Sequence, residues 1–132
     1  LNDRSNKDLN LYSCIVLNLL ASALEIDLAQ KDLESKVEML LHKSRAFLTK
    51  SDILHEIRSN HNMTERILSH LLEQGFIEVT QAERSYRVKP TKGGLLHVRD
   101  FNRFYASIYS KQIEQHYRYT GLPAWYRSFK DR

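Results

Sequence analysis

Residues 60–79, NHNMTERILSHLLEQGFIEV, constrain the fold of this chain more than any other stretch. Met63, Ile67, Leu68, Leu71 and Leu72 recur at helical spacing, so one face of a helix over 62–74 is apolar and the other carries Thr64, Arg66, Ser69, His70 and Glu73. Asn62 followed by Glu65 has the capping-box spacing at the start, and Gly75 is the stop. Beyond Gly75 the helical period is lost. FIEVT, 76–80, and SYRVKP, 85–90, have strand character and are separated only by the polar QAER, 81–84. A helix that passes through one glycine into a tight hairpin fixes three consecutive elements. It leaves open whether the polar face reads a nucleic acid or is merely solvated.

The segments before it are helical. Residues 8–27 read as a helix apolar on nearly all sides, with no charge from Leu9 to Leu24. Such a helix needs cover on more than one face. The run is too short for a bilayer span and is interrupted by Asn10, Ser13, Asn18 and Ser22, so it reads as core and not as an anchor. A second helix over 31–43 turns Leu33, Val37, Leu40 and Leu41 inward. Ala46 to Thr49 is a short extended piece, and Thr49 with Asp52 caps a third helix that buries Ile53, Leu54 and Ile57. RSNH then makes a turn.

After the hairpin, Thr91 caps a last helix expected to run unbroken from Gly93 or Gly94 to about Tyr119. Val98, Phe101, Tyr105 and Ile108 space as a coiled-coil seam, which Gln112 and Gln115 continue as polar positions. Gly121 and Pro123 end the helix, and an aromatic, basic tail completes the chain.

Composition narrows the classes. The chain has 132 residues, 42% hydrophobic and 27% charged, which reads as one domain, 1–132. Within it, 8–45 are N-terminal helices, 46–90 the central unit, and 91–132 the final helix and tail. The chain opens on Leu1 and not Met, which reads as a trimmed chain or part of a longer protein. The lone Cys14 sits in the apolar run and reads as a buried, reduced thiol. Six histidines form no metal-ligand pair at helical spacing, and KGG is too short for a phosphate-binding loop. No enzyme, metal site or cofactor is expected. The net charge of +4 resides in 93–132, where seven Lys/Arg face three Asp/Glu, while 46–92 have seven and six. That balance permits a nucleic-acid partner without demanding one.

The order helix, helix, short strand, helix, turn, helix, hairpin, long helix is that of a winged helix-turn-helix with helical extensions: a mainly α fold with a small β-hairpin. LTKSDILHEIRSNHNMTERILSHLLEQGFIEV and YRVKPTKGGLLHVRDFNRFY resemble the small archaeal winged-helix DNA-binding proteins in which a Thr-x-x-Gly motif leads into a long dimerising helix. More broadly the chain is similar to MarR-type regulators. It departs from the MarR pattern in lacking the Asp-x-Arg wing motif, and from the small archaeal proteins in its substantial N-terminal helices.

The resemblance implies a homodimeric, cytoplasmic, nucleoid-associated regulator of transcription whose 62–74 helix enters the major groove of double-stranded DNA. Arg66 has the donor geometry for a guanine edge, and Thr64, Ser69 and His70 suit bases or phosphates. Asn60 and Asn62 suit phosphates at the helix start, and Lys50 and Arg58 could clamp the backbone. In the wing, 80–86 and its flank, Arg84, Arg87 and Lys89 suit phosphate or minor-groove contact. Each has a plain alternative as a solvated charge, and Glu65, Glu73, Glu78 and Glu83 weaken the field. For dimerisation the expected residues are Leu11, Ile15 and Leu19 with Val98, Phe101, Tyr105 and Ile108. The tail aromatics Tyr117, Trp125, Tyr126 and Phe129 suit base stacking, but packing on the first helix or a partner explains them more simply. A protein-interaction adaptor or a general chromatin-packing protein uses the same elements, and no effector is named.

Overall fold

The computed structural model describes residues 2–82 and 84–130, and the side chains of 9–82 and 84–127. Helix α1 spans Asn2–Ala23 and α2 Leu33–Lys43, followed by strand β1 (Leu48–Thr49), α3 (Lys50–Ile57), α4 (His61–Glu73), β2 (Ile77–Ala82), β3 (Ser85–Pro90), α5 (Lys92–Phe104), α6 (Ser110–His116) and α7 (Ala124–Lys130). The strands form one antiparallel sheet in the order β1-β3-β2, with Leu48 opposite Val88 and Val79 opposite Val88 on its other side. This is a winged helix-turn-helix with helical extensions at both ends.

Helix α1 is the central post. Ile15, Val16, Leu17 and Leu20 are fully buried, and α3, α4, α5 and β3 all pack on it. Its polar Asn18, 1% exposed, is satisfied by α5: its amide donates to Asn102 Oδ1 at 3.0 Å while Asn102 donates back at 2.9 Å. A reciprocal amide pair of this kind fixes the register of two helices, because a slip strands buried donors. Cys14 is buried beside it, and burial pushes its thiol up to about 12.

The helix ends differ from the sequence expectation in three places. Helix α1 stops at Ala23, not at 27, and turns through Glu25 at φ 57°. The cap of α4 is Asn60, whose side chain accepts the Met63 amide at 2.8 Å, so Asn62 lies inside the first turn. Glu65 does not complete a box there, because it is drawn to Lys50.

The third difference is larger. The final helix is not continuous: α5 ends at Phe104, residues 105–109 turn, and only α6 resumes the helix. The rings of Phe101 and Tyr109 stack with centroids 5.7 Å apart. Eight residues of straight helix would separate them by about 12 Å along the axis, so the chain is bent here. Ile113, Tyr117 and Tyr126 are then buried in the main core, and Tyr12 of α1 hydrogen-bonds His116 at 2.9 Å. Of the tail's aromatics, Tyr117, Trp125 and Tyr126 therefore pack in the chain's own main core, to which α1 contributes, while Tyr119 is exposed; Phe129 lies outside the described side chains.

That bend removes the expected coiled-coil seam. Val98 and Phe101 are buried by α1 together with Leu11 and Ile15, and Leu19 is half-buried. Only Tyr105 and Ile108 remain open, at 54% and 68%. Four of the seven residues expected at a dimer interface are thus consumed within one chain.

Candidate nucleic-acid interface

The helix-turn-helix is built from local signals. Thr49 caps α3 in a full capping box: its hydroxyl accepts the Asp52 amide at 3.0 Å and Asp52 accepts the Thr49 amide at 2.9 Å. Helix α3 closes on Arg58, at φ 53°, and two residues later Asn60 opens α4. The turn is held by a buried hydroxyl. Thr64 donates to the Asn60 carbonyl at 2.9 Å and also bonds Ser59, with 0% of its surface exposed. Thr64 therefore cannot touch DNA, contrary to its expected role. It sits where the 3.6-residue period puts it, on the same face as Ile67, Leu68 and Leu71.

The opposite face of α4 is open. His61, Asn62, Glu65, Arg66, Ser69 and Glu73 are exposed along one stripe, and His70 is half-buried at its edge. Arg66 is exposed although it makes an intramolecular polar contact. Lys50 is bound to Glu65 and largely covered, so it braces α3 against α4 and has little charge left for a phosphate. Asn60 spends its side-chain oxygen on the cap.

The wing is short. Ala82 pairs with Ser85, leaving a two-residue tip of which Glu83 lies outside the described residues and Arg84 is exposed. Ile77, Val79, Val88 and Pro90 turn toward the core, which leaves Arg87 and Lys89 on the outer face. Arg87 is exposed but not idle: its guanidinium lies 4.5 Å from the centre of the Phe47 ring, and its Nε donates to Ser85 at 3.1 Å. A cation held over a ring is pre-oriented without losing its charge.

Thr91 joins wing and core. Its hydroxyl donates to the Gly75 carbonyl at 2.6 Å and accepts the Gly94 amide at 3.1 Å, so one residue ends the wing, caps α5 and ties it to the exit of α4. The edges of the lobe are braced by Arg99 to Glu34 at 3.0 Å and Lys92 to Glu38 at 3.3 Å, both from α5 to α2. The structure thus brings Asn62, Arg66 and Ser69 onto one exposed face, leaves Asn60 exposed at the helix start, gathers Arg84, Arg87 and Lys89 on the wing, and removes Thr64.

Sequence reasoning missed a groove at the far end of the molecule, between the end of α1, the 24–30 loop, the end of α5 and the start of α7. Its only sequence signal is the four-residue spacing of Arg99 and Arg103 on one side of α5. Among the described residues no cluster of three or more His, Cys, Asp or Glu is placed to hold a metal ion, and no helix is long and apolar enough to cross a membrane.

No family model matches the sequence, and no curated protein matches it. Among solved structures the chain is similar to a mutant of MepR from a multidrug-resistant S. aureus clinical isolate, at 13% identity and a TM-score of 0.43, over 87% of this chain and 83% of that one.

Proposed function

We propose that the chain is a homodimeric winged-helix protein that binds double-stranded DNA and regulates transcription in the cytoplasm. The observation that carries the reading is the outer stripe of α4. It is a full helix of 13 residues, supported from behind by Thr64, Ile67, Leu68 and Leu71, and it presents Asn62, Arg66 and Ser69 to solvent. An α-helix of this kind fits the major groove, where Arg66 has the donors for guanine O6 and N7. Arg84, Arg87 and Lys89 supply sequence-independent phosphate contacts.

A second reading has its own observation. The Lys50–Glu65 pair neutralises a cation that α3 holds against α4, and Glu73 adds a negative charge to the α4 stripe. A weakly charged helix face suits a protein partner better than a polyanion.

Binding of the full chain to a labelled random-sequence duplex, followed by anisotropy across a salt series, separates the two. DNA binding predicts that log affinity falls with log salt by about 0.9 per phosphate contact. Within a selected site, Arg66→Ala should lose roughly 1–3 kcal/mol of discrimination at one base pair, while Arg84→Ala or Lys89→Ala should weaken all duplexes alike. Absence of binding at low salt gives first place to the adaptor reading.

A further inference from the structure

The chain buries most of its apolar residues; of the six large ones exposed among the described residues, Met39, Leu72 and Tyr119 are scattered along the chain and the other three lie together. Phe104, Tyr105 and Ile108 are 65%, 54% and 68% exposed, all within five residues at the end of α5 and the turn after it. Directly beside them opens the groove of about 850 Å³. Ala21, Ile26, Leu28 and Trp125 give it apolar walls, and Asn102, Arg103 and Ser107, from the same segment as the knob, form one side. Knob and groove therefore share an element.

We propose that this face pairs two copies of the chain about a two-fold axis, with the Phe104–Ile108 knob of each copy seated in the groove of the other. The proposal rests on the homodimer reading and names its interface, in place of the buried seam. An isologous contact requires a surface that carries both a projection and its complement, and residues 102–108 carry both. Charge agrees as well. Among the described residues Arg103 forms no ion pair, and neither do Glu25 and Asp27 across the groove. A two-fold pairing brings the arginine of one copy toward the acids of the other.

The area is sufficient. Three large side chains at these exposures offer roughly 350 Å², judged from the 150–250 Å² that an aromatic side chain buries. Counting the groove wall each knob covers, and both copies, the contact comes to roughly 1,150 Å², above the roughly 1,000 Å² that a specific interface needs.

Sedimentation equilibrium of the full chain tests this, with circular dichroism to confirm folding. The wild type should sediment at about twice 15.6 kDa. Phe104→Ser with Ile108→Lys should shift it to the single-chain mass, and should fold normally because both side chains are exposed. Ser107→Cys, close to the axis, should form a disulfide-linked dimer on mild oxidation, whereas Ser69→Cys on α4 should not. A dimer that survives the double substitution, or a Ser107→Cys chain that stays unlinked, overturns the proposed interface while leaving the homodimer reading intact. A wild-type chain of single mass at about 100 µM, well above the micromolar affinity of a weak interface, overturns both. A single-mass chain whose groove binds a small apolar fluorophore would show that the groove belongs to another occupant.

Discussion

The helix-turn-helix and the C-terminal region differ in how their boundaries are written. From Thr49 to Thr91 nearly every element ends on a side chain or a conformation that dictates the end: the Thr49–Asp52 box, the Asn60 cap, Gly75 at φ 74° and the Thr91 cap. From Phe104 to Ser110 nothing of the kind exists. Residues 105–109 contain neither glycine nor proline, and Tyr109 makes no side-chain cap to α6. The break there is set by what the chain gains beyond it, since Ala106, Ile113, Tyr117 and Tyr126 are all buried against the rest of the core. Local rules settle the first region; tertiary packing settles the second.

The comparison is broken most severely at Gly94. A Cβ there would overlap the Phe76 carbonyl oxygen and lie 2.9 Å from its carbon, with Leu17 at 3.1 Å. The obstacle is backbone, so it cannot rotate away. Gly94→Ala should cost about 3 kcal/mol, measured by urea unfolding, which is the upper end for overpacking. A loss below about 1 kcal/mol, the lower end of that range, would mean that α5 can slide past Phe76, and that Thr91 does not fix α5 against the exit of α4.

A cap exchange sharpens the same contrast. Asn60→Ala should cost about 1 kcal/mol through loss of the Met63 amide bond, whereas Asn62→Ala, exposed within the first turn, should stay within about 0.5 kcal/mol. The reverse order, with Asn62→Ala the costlier, would show that the helix begins two residues later, as the Asn62–Glu65 spacing alone suggests.

These residues also show what the sequence could convey. The amphipathic α4, its glycine stop, the hairpin and the Thr49 and Thr91 caps are legible because each is a short-range pattern with one low-energy reading. The Asn62–Glu65 spacing points to Asn62 as the cap, and only the geometry of the turn through Arg58 puts Asn60 there instead. Thr64 looks available on paper because it is polar, yet the helical period places it with Ile67 and Leu71; weighing spacing above residue type would have removed it. The seam at Val98, Phe101, Tyr105 and Ile108 is a true periodicity that a bend divides, burying its first half in α1 and exposing its second. No local pattern distinguishes an intramolecular partner for such a seam from an intermolecular one. Nor could the groove beside it be seen, since it joins residues 18–29 to residues 99–125.

The smallest effect expected is one of pH, and it probes the region that packing alone defines. His116 is half-buried, with Nδ1 bonded to Tyr12 and no described partner for Nε2. Burial lowers its pKa, and the nearby Arg58 lowers it further; Tyr117, which packs edge-on against it at 4.6 Å, is itself held in its neutral form by burial. His97, stacked on Phe76 at 4.3 Å, is lowered in the same direction by burial and by His70, against the pull of Asp100. A histidine whose folded pKa lies below its unfolded value binds fewer protons folded than unfolded. Its contribution to stability is therefore fully present above the unfolded value, near 6.5, and is lost as pH falls from there toward the folded pKa. Melting temperature should accordingly drop between neutral pH and mildly acidic pH. Replacement of His116 by Gln, which keeps a polar group near Tyr12 but does not titrate, should flatten part of that drop, and His97→Gln a smaller part because its side chain is more exposed. If the Gln variant at 116 melts with the unaltered pH profile, the tail is not held against α1 in the way the Tyr12–His116 bond implies. The weakly encoded half of the molecule would then be free to take up the longer, straight helix that its apolar period spells out.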